Sequence, residues 1–170
     1  MEKIIKGFIG LFGGLTGTVF GKEIIVFIIS LMPILELRGG LLAASLLGLD
    51  PVSSYIIAVI GNVLPVPFIL WFMGRILKWM KTRKKLKKIS DWIDKKVEKN
   101  REKIEKFCFW GLVLFVGIPL PGTGAWTGCL VASVLEMDKK KSFIAAMIGV
   151  FMASIIMMLI SFGLLRGIIQ

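Results

Sequence analysis

Glu36 and Arg38 stand two positions apart within an otherwise apolar stretch of the sequence. A lone charge at the centre of a bilayer costs about 2.5–3.5 kcal/mol on insertion scales, so charges at that depth usually pair and face a cavity. Glu36 is therefore a candidate for taking up a proton or a coupling ion, and Arg38 for holding an anion. The alternative is that Arg38 only neutralises Glu36 or binds carbonyls that hold a turn.

A second candidate segment carries no charge but is rich in proline, glycine and hydroxyl groups. Its members are Pro119, Pro121, Gly122, Thr123, Gly124, Trp126 and Thr127. Backbone N–H groups at the start of a helix favour an anion such as a phosphate group. The Gly-Thr-Gly sequence alone is a weak phosphate motif, because neither a P-loop lysine nor a preceding strand accompanies it. A tight turn that serves helix packing is the alternative.

Asn62 places an amide in the middle of an apolar stretch, shortly before Pro65 and Pro67. Each proline removes a backbone donor and so frees a carbonyl oxygen. A kinked helix with an amide at membrane depth serves a gate or a coordination site, or else only packing.

Composition excludes several classes of function. The 170 residues include no histidine, and Cys108 and Cys129 lack the spacing of metal ligands. His-ligated metals and Ser-His or Cys-His nucleophiles are thereby excluded, so we expect no enzyme, no catalytic residue, no metal and no cofactor. The hydrophobic fraction is 56% and the mean hydropathy is +0.83, against about 45–50% apolar residues in globular domains. Much of the chain must lie in lipid.

The net charge of +11 is concentrated in one region, where residues 78–106 hold 13 basic and 5 acidic residues. Such a loop between hydrophobic blocks is typical of the cytoplasmic side of a membrane protein. Apolar residues at helical spacing within it predict a basic amphipathic helix on the inner leaflet: Leu86, Ile89, Trp92, Ile93 and Val97. No nucleic-acid motif accompanies the lysines, so we expect no nucleic-acid partner.

The residues from Pro33 to Gly61 recur, without a gap, as Pro121 to Gly149. Identities at the constant offset of 88 include Gly40/Gly128, Ser45/Ser133, Asp50/Asp138, Ser54/Ser142 and Gly61/Gly149. Repeated halves are common in secondary transporters, which bind substrate between the repeats near the bilayer midplane.

Each repeat is predicted to be a re-entrant hairpin followed by a membrane span. Glu23–Leu49 carries Pro33, Gly39 and Gly40, so we expect a break near 36–40. The arms on either side have about 10–13 residues, too few to cross a ~30 Å core at 1.5 Å per residue. Phe107–Leu135 repeats the plan, with its break at Pro119 to Gly124. Val52–Met73 and Ser142–Leu165 are the predicted spans.

We therefore predict an all-α polytopic membrane protein with a single membrane domain, residues 1–170. Residues 1–21 form a helix that lies in the membrane or its interface, 23–74 form repeat 1, 75–106 form the basic cytoplasmic helix and 107–166 form repeat 2. If 75–106 is cytoplasmic, the first hairpin opens from outside and the second from inside, beside the lysines at 139–141. The two repeats are then inverted, as in many transporters of the cell membrane.

Two motifs carry a resemblance to a known family. Pro33-x-x-Glu36-Leu37-Arg38-Gly39 and the segment from Pro119 to Gly128 resemble the small multi-drug export proteins over roughly residues 23–165. That family is more distantly similar to the DedA or VTT-domain superfamily, whose members carry two facing re-entrant hairpins and in several cases move phospholipids or polyprenyl phosphates. The resemblance implies transport. The arginine-rich second hairpin of DedA proteins has no counterpart here, so only Glu36 and Arg38 supply comparable charges.

We expect an ion-coupled transporter that moves a lipid-like or other amphiphilic, anionic substrate through a midplane site where the hairpin tips meet. Glu36 would take up a proton or another ion, and Arg38 with the donors around Gly122–Gly124 would hold the anionic group. Trp126, Thr127 and Asn62 would line the path, and membrane lipids would be partners. The small number of spans is compatible with a homo-oligomer.

Two other functions fit the sequence. In a multidrug exporter of lipophilic cations, Glu36 would accept the cation, and methionine and tryptophan side chains would form apolar walls. In a scaffold without transport, the basic region would dock lipid or a partner protein.

Overall fold

The computed structural model describes residues 2–82, 91–92, 95, 98, 108–120 and 122–164. The regular structure of these residues is helical, without strands, which confirms the all-α prediction for this part of the chain. The α-helices are α1 Glu2–Leu11, α2 Val19–Leu31, α3 Glu36–Leu46, α4 Pro51–Val63, α5 Pro65–Lys81, α6 Cys108–Gly117, α7 Ala125–Val134 and α8 Lys139–Met158. A 3₁₀ turn, Gly13–Leu15, precedes α2, and a π-helical segment, Leu159–Leu164, continues α8.

The chain divides into two compact units. Unit 1 comprises Met1–Leu64 and Val150–Gln170, and unit 2 comprises Pro65–Gly149. Unit 1 therefore holds α1 to α4 and the end of α8, whereas unit 2 holds α5, α6, α7 and the start of α8. The division into repeats 23–74 and 107–166 is a division of the sequence, and it stays a prediction.

The N-terminal segment packs on the first hairpin within unit 1. Ile5 of α1 is fully buried in a core with Ile25, Ile29, Leu35 and Ala43. Thr18 caps α2, since its side-chain oxygen accepts from the N–H of Gly21 at 3.1 Å. Residues 2–21 thus form α1, the 3₁₀ turn and the start of α2. Whether they cross the membrane or lie in its interface stays a prediction.

The end of α3 and the end of α7 have the same backbone geometry. Gly48 and Glu136, which are repeat partners, both have left-handed backbone, with φ of 66° and 54°. The residues that follow, Leu49 and Met137, each donate an N–H to the carbonyl five positions earlier, at 3.1 and 3.0 Å. This long bond is the mark of a Schellman motif, which satisfies the last carbonyls of a helix.

The start of the next helix also repeats. Asp50 caps α4 by accepting from the N–H groups of Val52 and Ser53, at 3.0 and 2.9 Å. Asp138 stands at the same place before α8 and accepts from the N–H of Lys141 at 2.8 Å. The internal repeat of the sequence therefore extends to its local hydrogen bonds. The inversion of the two repeats in the membrane stays a prediction.

Glycines let the helices of unit 1 approach closely. Gly40 of α3 and Gly61 of α4 both lie against Ser30 of α2. A Cβ at Gly40 would collide with Oγ of Ser30, and one at Gly61 would lie 2.9 Å from the carbonyl oxygen of Phe27 and 3.0 Å from Cβ of Ser30. Three helices thus meet around one serine.

Unit 2 uses the repeat partners of these glycines in the same way. Gly128 of α7 and Gly149 of α8 both lie against Val116 of α6. A Cβ at Gly128 would lie 2.8 Å from Cγ2 of Val116, and one at Gly149 would lie 2.6 Å from its Cβ. These distances are shorter than van der Waals contact, so a larger residue forces the helices apart.

The first break differs from the sequence prediction. It comprises Met32 to Leu35, with Pro33 inside it, whereas Gly39 and Gly40 lie within α3 rather than in a break at 36–40. The physical reason is packing: a Cβ at Gly39 would lie 2.6 Å from Cβ of Leu35, and Gly40 lies against α2. These glycines permit close contact and do not end the helix.

The second break lies where the prediction placed it, between the end of α6 at Gly117 and the start of α7 at Ala125. Gly122 and Gly124 have φ of 85° and 135°, values that residues with a Cβ rarely adopt. Pro119 lies in the break. Pro121, also predicted to belong to it, lies outside the described residues.

Among the described residues, two helical stretches are long and apolar enough to cross a membrane. They are Pro51–Ile76, with 26 residues, and Lys139–Gly163, with 25 residues, close to the predicted spans Val52–Met73 and Ser142–Leu165. In the first stretch Leu64 separates α4 from α5, directly before Pro65. The kink expected from the prolines stays a prediction. At 1.5 Å per residue each stretch exceeds the ~30 Å core of a bilayer.

The basic region 75–106 is described only in part. Its first residues continue α5 to Lys81, and Asp91, Trp92, Lys95 and Glu98 are helical. The predicted apolar stripe of Leu86, Ile89, Ile93 and Val97 lies outside the described residues. The cytoplasmic location of the region stays a prediction.

Candidate functional site

Glu36 lies at the first position of α3, directly after the break. Its side chain is buried, with 5% of its surface exposed, and its backbone has φ of 51°. Its N–H donates to the carbonyl of Met32 at 2.9 Å, which closes the turn of the break. A residue other than glycine in such a conformation costs on the order of 1–3 kcal/mol, and strain of this kind clusters at functional sites. A buried acid on strained backbone is therefore the first candidate.

Arg38 is buried beside it, with 7% of its surface exposed. The guanidinium interacts electrostatically with Glu36, so the two charges compensate each other inside unit 1. Removing one partner of a buried pair leaves an uncompensated charge, which costs about 3–5 kcal/mol. Whether Arg38 only neutralises Glu36, or the pair also exchanges this interaction for one with an ion or an anion, stays a prediction.

Asn62 lies near the end of α4, also in unit 1, with 2% of its surface exposed. Its Oδ1 atom has no hydrogen-bond partner among the described residues. Neighbouring Gly61 is the residue that packs against α2. The amide thus follows directly after a close contact of α4 with α2, and it is a buried polar side chain outside the charged pair.

Sequence reasoning missed several buried hydroxyl groups. Ser54 and Ser161 in unit 1, and Ser142 in unit 2, have an Oγ without a partner in the part of the chain that the structure describes. Tyr55 and Ser154 form a 2.9 Å hydrogen bond through their hydroxyl groups. A signal was available for one pair, because Ser54 and Ser142 are identical repeat partners.

The hydroxyl of Thr123 holds the second break together. Its Oγ1 lies 2.9 Å from the carbonyl oxygen of Ile118 and 2.8 Å from that of Leu120, to which it donates. The backbone N–H of Thr123 also donates to Leu120, at 3.1 Å. The hydroxyl and the N–H of Thr123, which the sequence analysis assigned to an anion, therefore stabilise the turn. Gly122 and Gly124 adopt its left-handed conformations.

Trp126 lines an open groove of about 420 Å³ within unit 2. Its other walls are apolar: Pro65, Phe68, Ile69, Phe72, Met73 and Ile76. Thr127, next along α7, points away from solvent, with 6% of its surface exposed. The groove suits an aromatic or aliphatic group. Its phenylalanines could not be assigned to a site from the sequence, because residues 65–74 are apolar throughout.

Comparison with family models decides the class. The family described as "Putative small multi-drug export protein" matches residues 36–156. The chain belongs to this family. A search of curated proteins and a search of solved structures each found no match. The family, together with two helices of membrane-crossing length among the described residues, indicates a membrane protein of the transporter class.

The predicted substrate- and ion-binding residues of this small multi-drug export family member all lie inside the matched region, which begins after the predicted hairpin break at Pro33. Glu36, Arg38 and Asn62 belong to unit 1, whereas the residues from Gly122 to Thr127 belong to unit 2. That the two groups serve one substrate stays a prediction. No group of three or more His, Cys, Asp or Glu side chains suited to a metal occurs among the described residues.

Proposed function

We propose that the protein is an ion-coupled transporter of the cell membrane that moves a lipid-like or other amphiphilic, anionic substrate. The observation that carries the proposal is the buried pair of Glu36 and Arg38 at the break between α2 and α3. Charges buried in a membrane protein are expensive and usually belong to a substrate or ion pathway. The match to an export family supports the same class of function.

The pair provides a simple means of coupling. When Glu36 is ionised, it compensates Arg38 and the guanidinium has no need of another anion. When Glu36 takes up a proton or binds a cation, Arg38 no longer faces the negative charge of this carboxylate and attracts an anionic group of the substrate more strongly. Anion and coupling ion are thereby bound together, which keeps the charge of the occupied site close to zero.

The topology that we propose follows from the repeat. Helices α2, α3, α6 and α7 have 13, 11, 10 and 10 residues, each too short to cross a ~30 Å core alone. We therefore propose that the two hairpins are re-entrant and inverted, with 75–106 on the cytoplasmic side. Trp126, Thr127 and the turn at Gly122–Gly124 would line the path of the apolar part of the substrate.

Translocation of a fluorescent anionic phospholipid in liposomes that hold the purified protein tests the proposal. We compare the wild type with Glu36→Gln and Arg38→Ala, and use Glu136→Gln as a matched control, because Glu136 is an exposed glutamate with similar backbone geometry. Loss of lipid movement in the first two variants, with movement retained in the control, is expected. Movement no faster than in empty liposomes would overturn lipid transport, and wild-type rates in Glu36→Gln would overturn the role of the pair.

The apolar groove favours a second candidate, export of lipophilic cations. Trp126, Phe68 and Phe72 offer aromatic faces, and Met73 offers a polarisable side chain, which together suit a greasy cation. Glu36 would then accept the positive charge. A lipophilic cationic dye should bind the wild type and bind Trp126→Ala at least several-fold more weakly, with Trp71→Ala as a control from the same unit whose ring packs on Phe143. Equal dye binding in both variants would count against this candidate.

A further inference from the structure

The amide of Asn62 is the starting point for a further site. Its side chain is 2% exposed, and its Oδ1 has no partner among the described residues. A buried acceptor without a hydrogen bond costs about 1–3 kcal/mol. A bound ligand that accepts an oxygen lone pair, such as a cation, would satisfy this atom and explain its position.

The backbone around Asn62 offers further oxygen atoms of the same kind. Proline has no N–H, so Pro65 leaves the carbonyl of Gly61 without its usual helical donor, and Pro67 does the same for Val63. Asn62 stands between these two carbonyls in the chain. The carbonyl oxygen of Phe27, from α2, also lies beside Gly61.

We propose that Oδ1 of Asn62, together with the carbonyl oxygen of Gly61 that lacks its helical donor, binds an alkali cation near the end of α4. The ligands are neutral oxygens, which suit a hard cation of single charge. Ca²⁺ and Mg²⁺ rely on carboxylates, and no acidic cluster suited to a metal occurs among the described residues. The site rests on the proposed function: it adds a position for an alkali cation in the same repeat, and Glu36 keeps the role proposed for it.

The site belongs to the first repeat only. The repeat partners of Asn62 and Pro65 are Val150 and Ala153, which provide neither an amide nor a missing donor. Val150 is buried like Asn62, with 2% of its surface exposed. The second repeat carries valine at the equivalent buried position. We therefore choose Asn62→Val as the test variant.

Thermal unfolding of the purified full chain in detergent tests the site without any transport assay. The probes are NaCl, KCl and choline chloride at equal ionic strength. A ligand that binds only the folded state raises the Tm in proportion to the logarithm of its concentration above Kd. We expect NaCl to raise the Tm of the wild type above its value in choline chloride, and Asn62→Val to lose that difference.

Two further variants keep the test interpretable. Asn62→Asp places a charged oxygen at the same position and should respond at several-fold lower NaCl, because affinity rises with ligand charge. Ser54→Ala removes another buried hydroxyl group of α4 and should keep the wild-type response. A response to KCl instead of NaCl, lost in Asn62→Val, would equally support an alkali cation site. Should Asn62→Val not fold, the Asn62→Asp response decides.

Equal Tm values for the wild type in all three salts would overturn the site. So would a wild-type response in Asn62→Val, or an Asn62→Asp variant that responds like the wild type. Failure of the proposed function would appear elsewhere, as unchanged lipid movement in Glu36→Gln. The two failures are therefore distinguishable.

Discussion

The hydroxyl of Ser45 donates a 2.7 Å hydrogen bond to the carbonyl oxygen of Ser161. Ser133, the repeat partner of Ser45, accepts a 3.1 Å bond from the backbone N–H of Gly74. Each bond joins the second helix of one hairpin, α3 or α7, to the last part of the membrane-crossing stretch of the other repeat. Both residues of each bond belong to the same unit. The π-helical turn at Leu159–Leu164 contains the Ser161 end of this link, and such turns often occur at functional positions.

Removing the first of these links should destabilise the protein without changing the charged pair. We expect Ser45→Ala to lower the free energy of unfolding by about 0.5–1.5 kcal/mol, because it leaves the Ser161 carbonyl without this donor. Thermal unfolding in detergent measures the effect. Ser53→Ala is the control, since its hydroxyl bonds only the nearby carbonyl of Asp50, on the exposed surface. Equal stability of the two variants would contradict a role for the link.

The close glycine contacts predict a larger loss of stability than Ser45→Ala. Gly61→Ala and Gly128→Ala introduce a Cβ within 3.0 Å of neighbouring atoms, so each should cost about 1–3 kcal/mol of stability through overpacking. Gly10 provides the control: it lies in α1 with nothing within 4 Å of a built Cβ. Gly10→Ala should be neutral or stabilising by up to about 1 kcal/mol, as alanine favours helix. A Gly61→Ala Tm equal to that of Gly10→Ala would refute the close approach of α2 and α4.

The second hairpin could be predicted from the sequence almost residue by residue. Pro119, Gly122 and Gly124 act through the backbone alone, since proline lacks a donor and glycine adopts left-handed conformations. Their effect is local, and the break between α6 and α7 falls where they are. The two long apolar helices were predictable for a similar reason, because length and composition decide whether a helix spans a bilayer.

The first hairpin was harder to predict, because its glycines serve helix packing and do not break the helix. Gly39 and Gly40 resemble a helix break in sequence, yet they permit contact with Leu35 and Ser30. That contact forms only when α2 and α3 pack against each other, and the local sequence pattern holds no information on this packing. The left-handed backbone of Glu36 was likewise hidden, since glutamate is not a residue that a sequence pattern places at φ of 51°.

The hydroxyl of Thr123 should decide whether the second break keeps its shape. Thr123→Val has nearly the same volume but loses the bonds to Ile118 and Leu120, so it should lose about 0.5–1.5 kcal/mol of stability. Thr123→Ser keeps the hydroxyl and should lie within about 0.5 kcal/mol of the wild type. Thermal unfolding compares them. A valine variant as stable as the serine variant would show that the turn does not depend on this hydroxyl.

Backbone strain at Glu36 offers a way to separate stability from function. Glu36→Gly and Glu36→Ala both remove the carboxylate from beside Arg38, so this loss cancels in their comparison. Glycine adopts φ of 51° without strain, whereas alanine does not. We expect the glycine variant to be more stable than the alanine variant by about 1 kcal/mol, in thermal or denaturant unfolding. Neither variant should transport, because the carboxylate is gone from both.

Glu136 completes that comparison, because its φ of 54° is nearly the same and its side chain is exposed at the end of α7. Glu136→Gly should gain up to about 1 kcal/mol over Glu136→Ala for the same backbone reason. Unlike the variants at position 36, both variants at position 136 should keep wild-type transport in the liposome assay. If Glu36→Gly also kept wild-type transport, the strained glutamate would serve only the fold of the hairpin, and the ion-coupling role of its carboxylate would have to be abandoned.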